Sequence, residues 1–251
     1  MKISDILKPY KYFFLSTKDD NEEILKFFNS ITMDTKSFSL RYDRGSDFFK
    51  FSAEQSNDSF TFIMKDEKGN IRGTASLALI PHFLNGKKEL CAYLGDLRIS
   101  PLLSPKIRIH WKKCYSEIIE NFSTIEEFKG VKYLYSAILD ENQNAMRSLL
   151  KNNDQLIYHH LTAYETYTVI VPSLMAFFHS GKYQVSPLDF SEINNFLINN
   201  SATNGLANYF VNSVESELVR RINTWGNLSE KSFLSVKDQS GKVVAAFAPW
   251  Q

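Results

Sequence analysis

The residue in this chain best placed to move a proton is Asp96. It sits in "YLGDLRISP", which otherwise reads as a buried strand, and its flanks Leu94 and Leu97 are apolar. Burial among apolar neighbours raises a carboxyl pKa toward values useful to a general base. The competing reading is a structural carboxylate that pairs with Arg98 or caps a neighbouring loop. Further along, Lys106, Arg108, His110, Lys112 and Lys113 crowd the first turns of a helix. Basic groups there oppose the helix dipole by roughly 0.3–1 kcal/mol each, and a bound anion relieves that opposition. A solvated helix face is the plainer explanation, and several of the five residues must be that in any case. The histidines, His82, His110, His159, His160 and His179, show neither HxxxH nor HExxH spacing. As strand neighbours, His159 and His160 point to opposite sides, so no metal site is expected. Nucleophile-elbow, phosphate-loop and dinucleotide fingerprints do not occur.

Asp96 needs a strand and the basic cluster needs a helix, and the sequence supplies both. Leu90 to Ile99 reads as the strand, Pro101 breaks it, and Ser104 and Pro105 stand as N-cap and first residue of the helix. Ile107, Trp111, Tyr115, Ile118 and Phe122 then recur on one helical face. Upstream, Asp20 caps a helix with Ile24, Phe27, Phe28 and Ile31 on its apolar side. Phe60 to Met64 and Ile71 to Ile80 form a hairpin around the turn Asp66 to Gly69. Downstream, a strand is expected over Val131 to Leu139, a loop over Asp140 to Asn144, a helix over Ala145 to Leu150 and a strand within Leu156 to Val171.

Composition narrows the function classes. With a net charge of +1 and a pI near 7.7, nothing calls for a nucleic acid or an acidic membrane surface. The most apolar run, Val169 to Phe178, is too short to span a bilayer and carries Pro172. The start, MKISDILKPYKYFF, lacks the pattern of a signal peptide. Only Cys91 and Cys114 are present, so a reduced, cytoplasmic setting is expected.

The second half of the chain echoes the first. "MKDEKGNIRGTAS" (Met64 to Ser76) is matched by "VKDQSGKVVAAFA" (Val236 to Ala248), placing Asp66 and Asp238 172 residues apart. The helix "DNEEILKFFNSI" has a counterpart in "DFSEINNFLINN", with Asp20 and Asp189 169 residues apart. Two agreeing offsets predict a tandem duplication. Val243 to Trp250 would then be an apolar edge strand, expected to pack on the first unit or to pair in a homodimer.

The order helix, hairpin, long strand, junction, helix, strand, Asn loop and helix resembles the GNAT superfamily of acyl-CoA-dependent N-acyltransferases. "KDEKGNIRGTASL", "YLGDLRISP" and "ILDENQNAMRSLL" carry the likeness, which covers roughly residues 10 to 170. It implies an α+β fold, a GNAT-like mixed sheet flanked by helices, over residues 1–172, with a partial second unit over 173–251. It also implies acetyl-CoA as acyl donor, no metal, and a small-molecule or peptide amine as acceptor. By the same likeness, Leu97, Arg98 and Ile99 hold the pantetheine arm on exposed backbone, and Asn142 lies beside it. Ser104, Lys106, Ile107 and Arg108 face the pyrophosphate. Such a reaction needs a base, and Asp96, read from its own surroundings, is the candidate catalytic residue beside the structural alternative. Where the family has two spaced glycines at the helix start, this chain has Ser104, Pro105 and Ile107. Pyrophosphate would therefore rely on the N–H groups of Lys106, Ile107 and Arg108 and on two basic side chains. The family's tyrosine acid falls at Leu149, leaving Tyr158 and Tyr164 as the nearest substitutes. The alternative is a catalytically degenerate GNAT-fold module that binds a ligand or protein partner.

Overall fold

A computed structural model describes residues 1–34, 39–139, 141, 142, 145–147, 158–161, 163, 181–187, 189–201 and 205–248. The chain divides into two compact units, Met1–Pro81 with Glu89–Tyr158, and His82–Lys88 with His159–Gln251. The expected boundary at 172/173, the strand within Leu156 to Val171 (apart from Tyr158–Leu161 and Ala163) and Ser148 to Leu150 of the expected helix lie outside the described residues.

In the first unit the elements are α1 (Ile3–Leu7), β1 (Phe13–Leu15), α2 (Asn21–Asn29), the short strands β2 (Met33–Asp34) and β3 (Ser39–Leu40), and α3 (Phe48–Gln55). Then follow β4 (Ser59–Lys65), β5 (Ile71–Leu84) and β6 (Lys87–Ile99), whose shared tip His82–Lys88 belongs to the second unit, and α4 (Pro105–Glu120) and β7 (Val131–Tyr135). The main sheet has the order β1-β4-β5-β6-β7. Alternation along β4 sends Phe62 and Met64 to one face and Ile63 to the other, and all three are buried. On the first face they meet Ile3 and Ile6 of α1 and Ile107, Trp111, Cys114 and Ile118 of α4. On the second, Ile63 and Ile71 pack beneath Ile24 and Phe28 of α2 and Phe48 of α3. Each such side chain, fully buried, contributes about 1.5–3 kcal/mol. The result is a mixed α+β fold with helices on both faces of the sheet.

Two strands run longer than the apolar pattern suggests. β5 and β6 continue past Ile80 and begin before Leu90, meeting at Asn85-Gly86. Both turn residues have positive φ, 50° and 76°, the conformation a two-residue hairpin requires and the Asn-Gly pair accepts. β7, by contrast, stops at Tyr135 rather than Leu139 because it loses its neighbour there.

The second unit holds β8 (Gln184–Pro187), α5 (Phe190–Ser201), β9 (Leu206–Asn208), α6 (Glu217–Thr224), β10 (Leu234–Lys237) and β11 (Val243–Phe247). Its sheet has the order β11-β10-β8, and its core gathers Ile193, Phe210, Leu218, Leu228 and Phe233. β9 pairs with the hairpin tip His82 to Leu84. The two hairpin turns are built alike. The Oδ1 of Asp66 accepts from the N–H of Lys68 and Asn70, and that of Asp238 accepts from Ser240 and Lys242. Gly69 and Gly241 close the turns at φ 86° and 82°. The pairing register shifts between Met64 and Lys65 in one hairpin, and between Val236 and Lys237 in the other.

Candidate functional site

β6 and β7 run parallel and pair from Leu90 opposite Val131 to Tyr93 opposite Tyr135, then part. Beyond that point Leu94 to Arg98 on one side and Ser136 to Leu139 on the other line a cavity of about 300 Å³. Trp111, Tyr115 and Ile118 line it from α4, and Tyr42, Arg44 and Phe51 line it from the segment between α2 and the end of α3. Those two groups belong to opposite faces of the sheet, so the gap between the strands opens a passage through it.

Asp96 lies at this gap with φ 51°, in the left-handed region within a strand. Aspartate tolerates that conformation better than most residues, and its neighbours fix it there. Thr74 Oγ1 donates to the Asp96 carbonyl at 3.0 Å and Ser76 Oγ donates to Oδ2 at 2.9 Å. Arg44 Nη2 donates to Oδ1 in an ion pair whose side chains are only 8% and 12% exposed. The carboxylate thus has both oxygens engaged. Arg44 in turn lies among four rings, with Cζ 3.9 Å from the Phe51 centroid and 5.3 Å from that of Phe28, and Tyr42 and Phe48 slightly farther.

The other expected site residues divide between the cavity and the framework. Leu97 lines the cavity and is 41% exposed. Arg98 also lines it, yet its guanidinium turns to the end of α2, donating to the carbonyls of Phe28 at 3.0 Å and Ile31 at 2.7 Å. A cation there suits the negative end of the helix, and burial lowers its pKa from the usual arginine value. Ile99 packs against the core under α4. Asn142 lines the cavity, with its Oδ1 accepting from the N–H of Ala145 at 3.1 Å as a helix cap does.

The start of α4 departs from the expectation for a pyrophosphate cradle. The Arg108 N–H donates to the Ser104 carbonyl, and the Ile107 N–H points to Ser104 Oγ at 3.5 Å. Neither group is free, which corrects the expectation that Lys106, Ile107 and Arg108 all offer open N–H groups. The Arg108 side chain folds back on the junction, donating to Leu103 O at 3.1 Å and Ser100 O at 2.9 Å. Ile107 is fully buried in the core. Ser104 Oγ donates to Glu67 Oε1 at 3.1 Å, which brings a carboxylate to the spot where an anion would rest. Lys106 is exposed. The gap between the strands is open, whereas at the helix start the Ile107 and Arg108 N–H groups are already taken up.

Sequence reasoning missed Arg44, Tyr42 and Phe51, which fall where no element is predicted. It also left open the partner of Tyr158. In the structure the hydroxyls of Tyr115 and Tyr158 are 2.6 Å apart at the cavity wall. Burial, the Tyr158 charge and the hydrogen bond together raise the Tyr115 pKa, so that hydroxyl stays protonated at neutral pH. Cys91 and Cys114 are buried, and burial pushes their thiols up to about 11 and about 12, which makes both poor nucleophiles. Among the described residues, no group of three or more His, Cys, Asp or Glu side chains could hold a metal. Nor is any described helix long and apolar enough to cross a membrane.

No protein-family profile matches the chain, and no curated protein sequence does. Solved structures that align with part of the chain are numerous. An acetyltransferase from Trypanosoma brucei is 13% identical, with 64% of this chain and 98% of that one aligned at a TM-score of 0.37. An aminoglycoside 6'-N-acetyltransferase from Acinetobacter baumannii is 9% identical, covering 61% and 98% at 0.38. A GNAT-family acetyltransferase from Staphylococcus aureus is 17% identical, covering 56% and 80% at 0.40.

Proposed function

We propose that the first unit transfers an acyl group, acetyl in the simplest case, from a coenzyme A thioester to the nitrogen of an amine. One observation carries the reading: the cavity reaches both faces of the sheet through the gap between β6 and β7, so donor and acceptor can meet from opposite sides. The thioester supplies an activated acyl carbon on sulfur. The amine nitrogen attacks that carbon, the C–N bond forms and the C–S bond breaks, nitrogen loses one proton and the departing sulfur gains one. In this reading the backbone of Leu97, Arg98 and Ile99, beyond the last β7 pairing, aligns the arm. Asp96 holds the kink in β6 through its bonds to Arg44, Ser76 and Thr74, and is a positioning residue rather than the base. Tyr158, linked to Tyr115, gives the proton to sulfur, and the amine loses its own to water at the cavity mouth.

A second reading, a module that binds but does not catalyse, is favoured by the closed start of α4 with Glu67 against it. The test is release of free thiol from acetyl-CoA with a panel of amines. Tyr158→Phe should lower kcat by roughly 10²-fold or more with little change in donor KM. No thiol release with any amine would leave the binding module standing. We also propose that the second unit repeats the β1 to β5 half of the first, on the strength of the matching turns and register shifts. The domain boundaries near 172/173 follow that proposal.

A further inference from the structure

We infer that the acceptor is a single amine on an aromatic or otherwise apolar body, and that polycationic amines are poor ligands. This rests on the acyl-transfer reading for the word acceptor, but the argument concerns what the cavity admits. On the α2 and α3 side its mouth is bordered by Tyr42 and Phe51, whose exposures of 45% and 42% are large for such side chains. Tyr93 stands deeper, against Tyr135, with ring centroids 5.2 Å apart and the ring planes tilted by 42°. A rim of exposed rings around a concave site suits a flat apolar ligand.

Charge points the same way. Among the described residues, the charged ones lining the cavity are Arg44, Arg98 and Asp96, which together carry a net positive charge. The one carboxylate of that group is closed on Arg44 and Ser76. A second ammonium would therefore enter a positively charged, low-dielectric site without a free counter-ion among those residues. Aromatic rings can replace a counter-ion when their faces are free. Here Arg44 already lies within 6.0 Å of Phe28, Tyr42, Phe48 and Phe51. Tyr42 and Phe51, the two of these rings that border the mouth, are therefore left mainly with apolar surface to offer. A monoamine escapes the difficulty because it sheds its proton to become the nucleophile, whereas an aminosugar or polyamine brings further charges that stay.

Isothermal titration of the full chain with phenethylamine, spermidine and kanamycin, without donor, tests this separately from catalysis. Phenethylamine should bind at least about tenfold tighter than either polycation, and Phe51→Ala should weaken it by about tenfold, the loss of one aromatic contact. Arg44→Gln frees the Asp96 carboxylate and should strengthen spermidine binding by about tenfold or more. Should that variant fail to fold, Phe51→Ala decides, since its side chain is part of no buried ion pair and is 42% exposed. Polycations binding as well as phenethylamine, no effect of Phe51→Ala, or no heat with phenethylamine up to about 10 mM would each overturn the inference. Thiol release from acetyl-CoA is scored independently. Aromatic-amine binding without thiol release would sink the transfer reading and leave the cavity's selectivity intact.

Discussion

Replacing Asp96 by asparagine separates a structural carboxylate from a catalytic one. Asparagine keeps the size of the side chain and one carbonyl acceptor, and it tolerates the left-handed backbone that Asp96 adopts at φ 51°. What it removes is the negative charge beside Arg44, in a pair whose side chains are 8% and 12% exposed. Breaking such a buried pair by neutralising one member costs about 3–5 kcal/mol, because the other charge stays buried. The retained Arg44 contact favours the lower figure. With about 2–4 °C lost per kcal/mol in a protein of this size, about 3 kcal/mol corresponds to a fall in Tm of roughly 6–12 °C. The assay is thermal unfolding of wild type and Asp96→Asn at matched concentration, with turnover normalised to folded protein. A double-mutant cycle with Arg44→Met isolates the pair, and the two single changes should be strongly non-additive. An unchanged Tm together with a loss of roughly 10²–10⁴-fold in turnover would refute the positioning role and make Asp96 the base.

Two further expectations follow from the junction and from the second unit. Because Ser104, Glu67 and Arg108 close the start of α4, acetyl-pantetheine should serve as donor within about tenfold of acetyl-CoA in kcat/KM. A loss of about 10³-fold on truncation would mean that two or more charge-assisted bonds to the diphosphate form after all. In the second unit Glu217 is buried, which raises its pKa, but hydrogen bonds from Arg220 and Arg221 outweigh burial and hold it below the usual 4.5. A depressed carboxyl stabilises the fold above its unfolded pKa, and that contribution is lost as pH falls through the folded value. Urea denaturation at about pH 7 and about pH 4 should therefore show Glu217→Gln destabilised at the higher pH and less acid-sensitive than wild type. Equal acid sensitivity of the two proteins would remove Glu217 from the account.

The amino-acid sequence by itself determined the elements whose causes are local. Ser104 and Pro105 cap α4 because an N-cap hydroxyl and a proline need only the next turn of their own helix. Asp66 and Gly69 close their turn through bonds spanning at most four residues. The α4 stripe was legible in the same way, although Cys114 also faces the core. From these pieces the order of helix, hairpin, long strand, helix and strand could be read without any tertiary information. The site could not. Arg44 meets Asp96 across 52 residues and Tyr115 meets Tyr158 across 43, and no spacing rule links residues brought together only by the packing of separate elements. The basic side chains at the start of α4 looked available to an anion, but whether Arg108 reaches outward or back to Ser100 and Leu103 depends on how the junction folds. The cavity itself exists because β6 and β7 stop pairing after Tyr93 and Tyr135, and a break between two strands belongs to neither sequence alone.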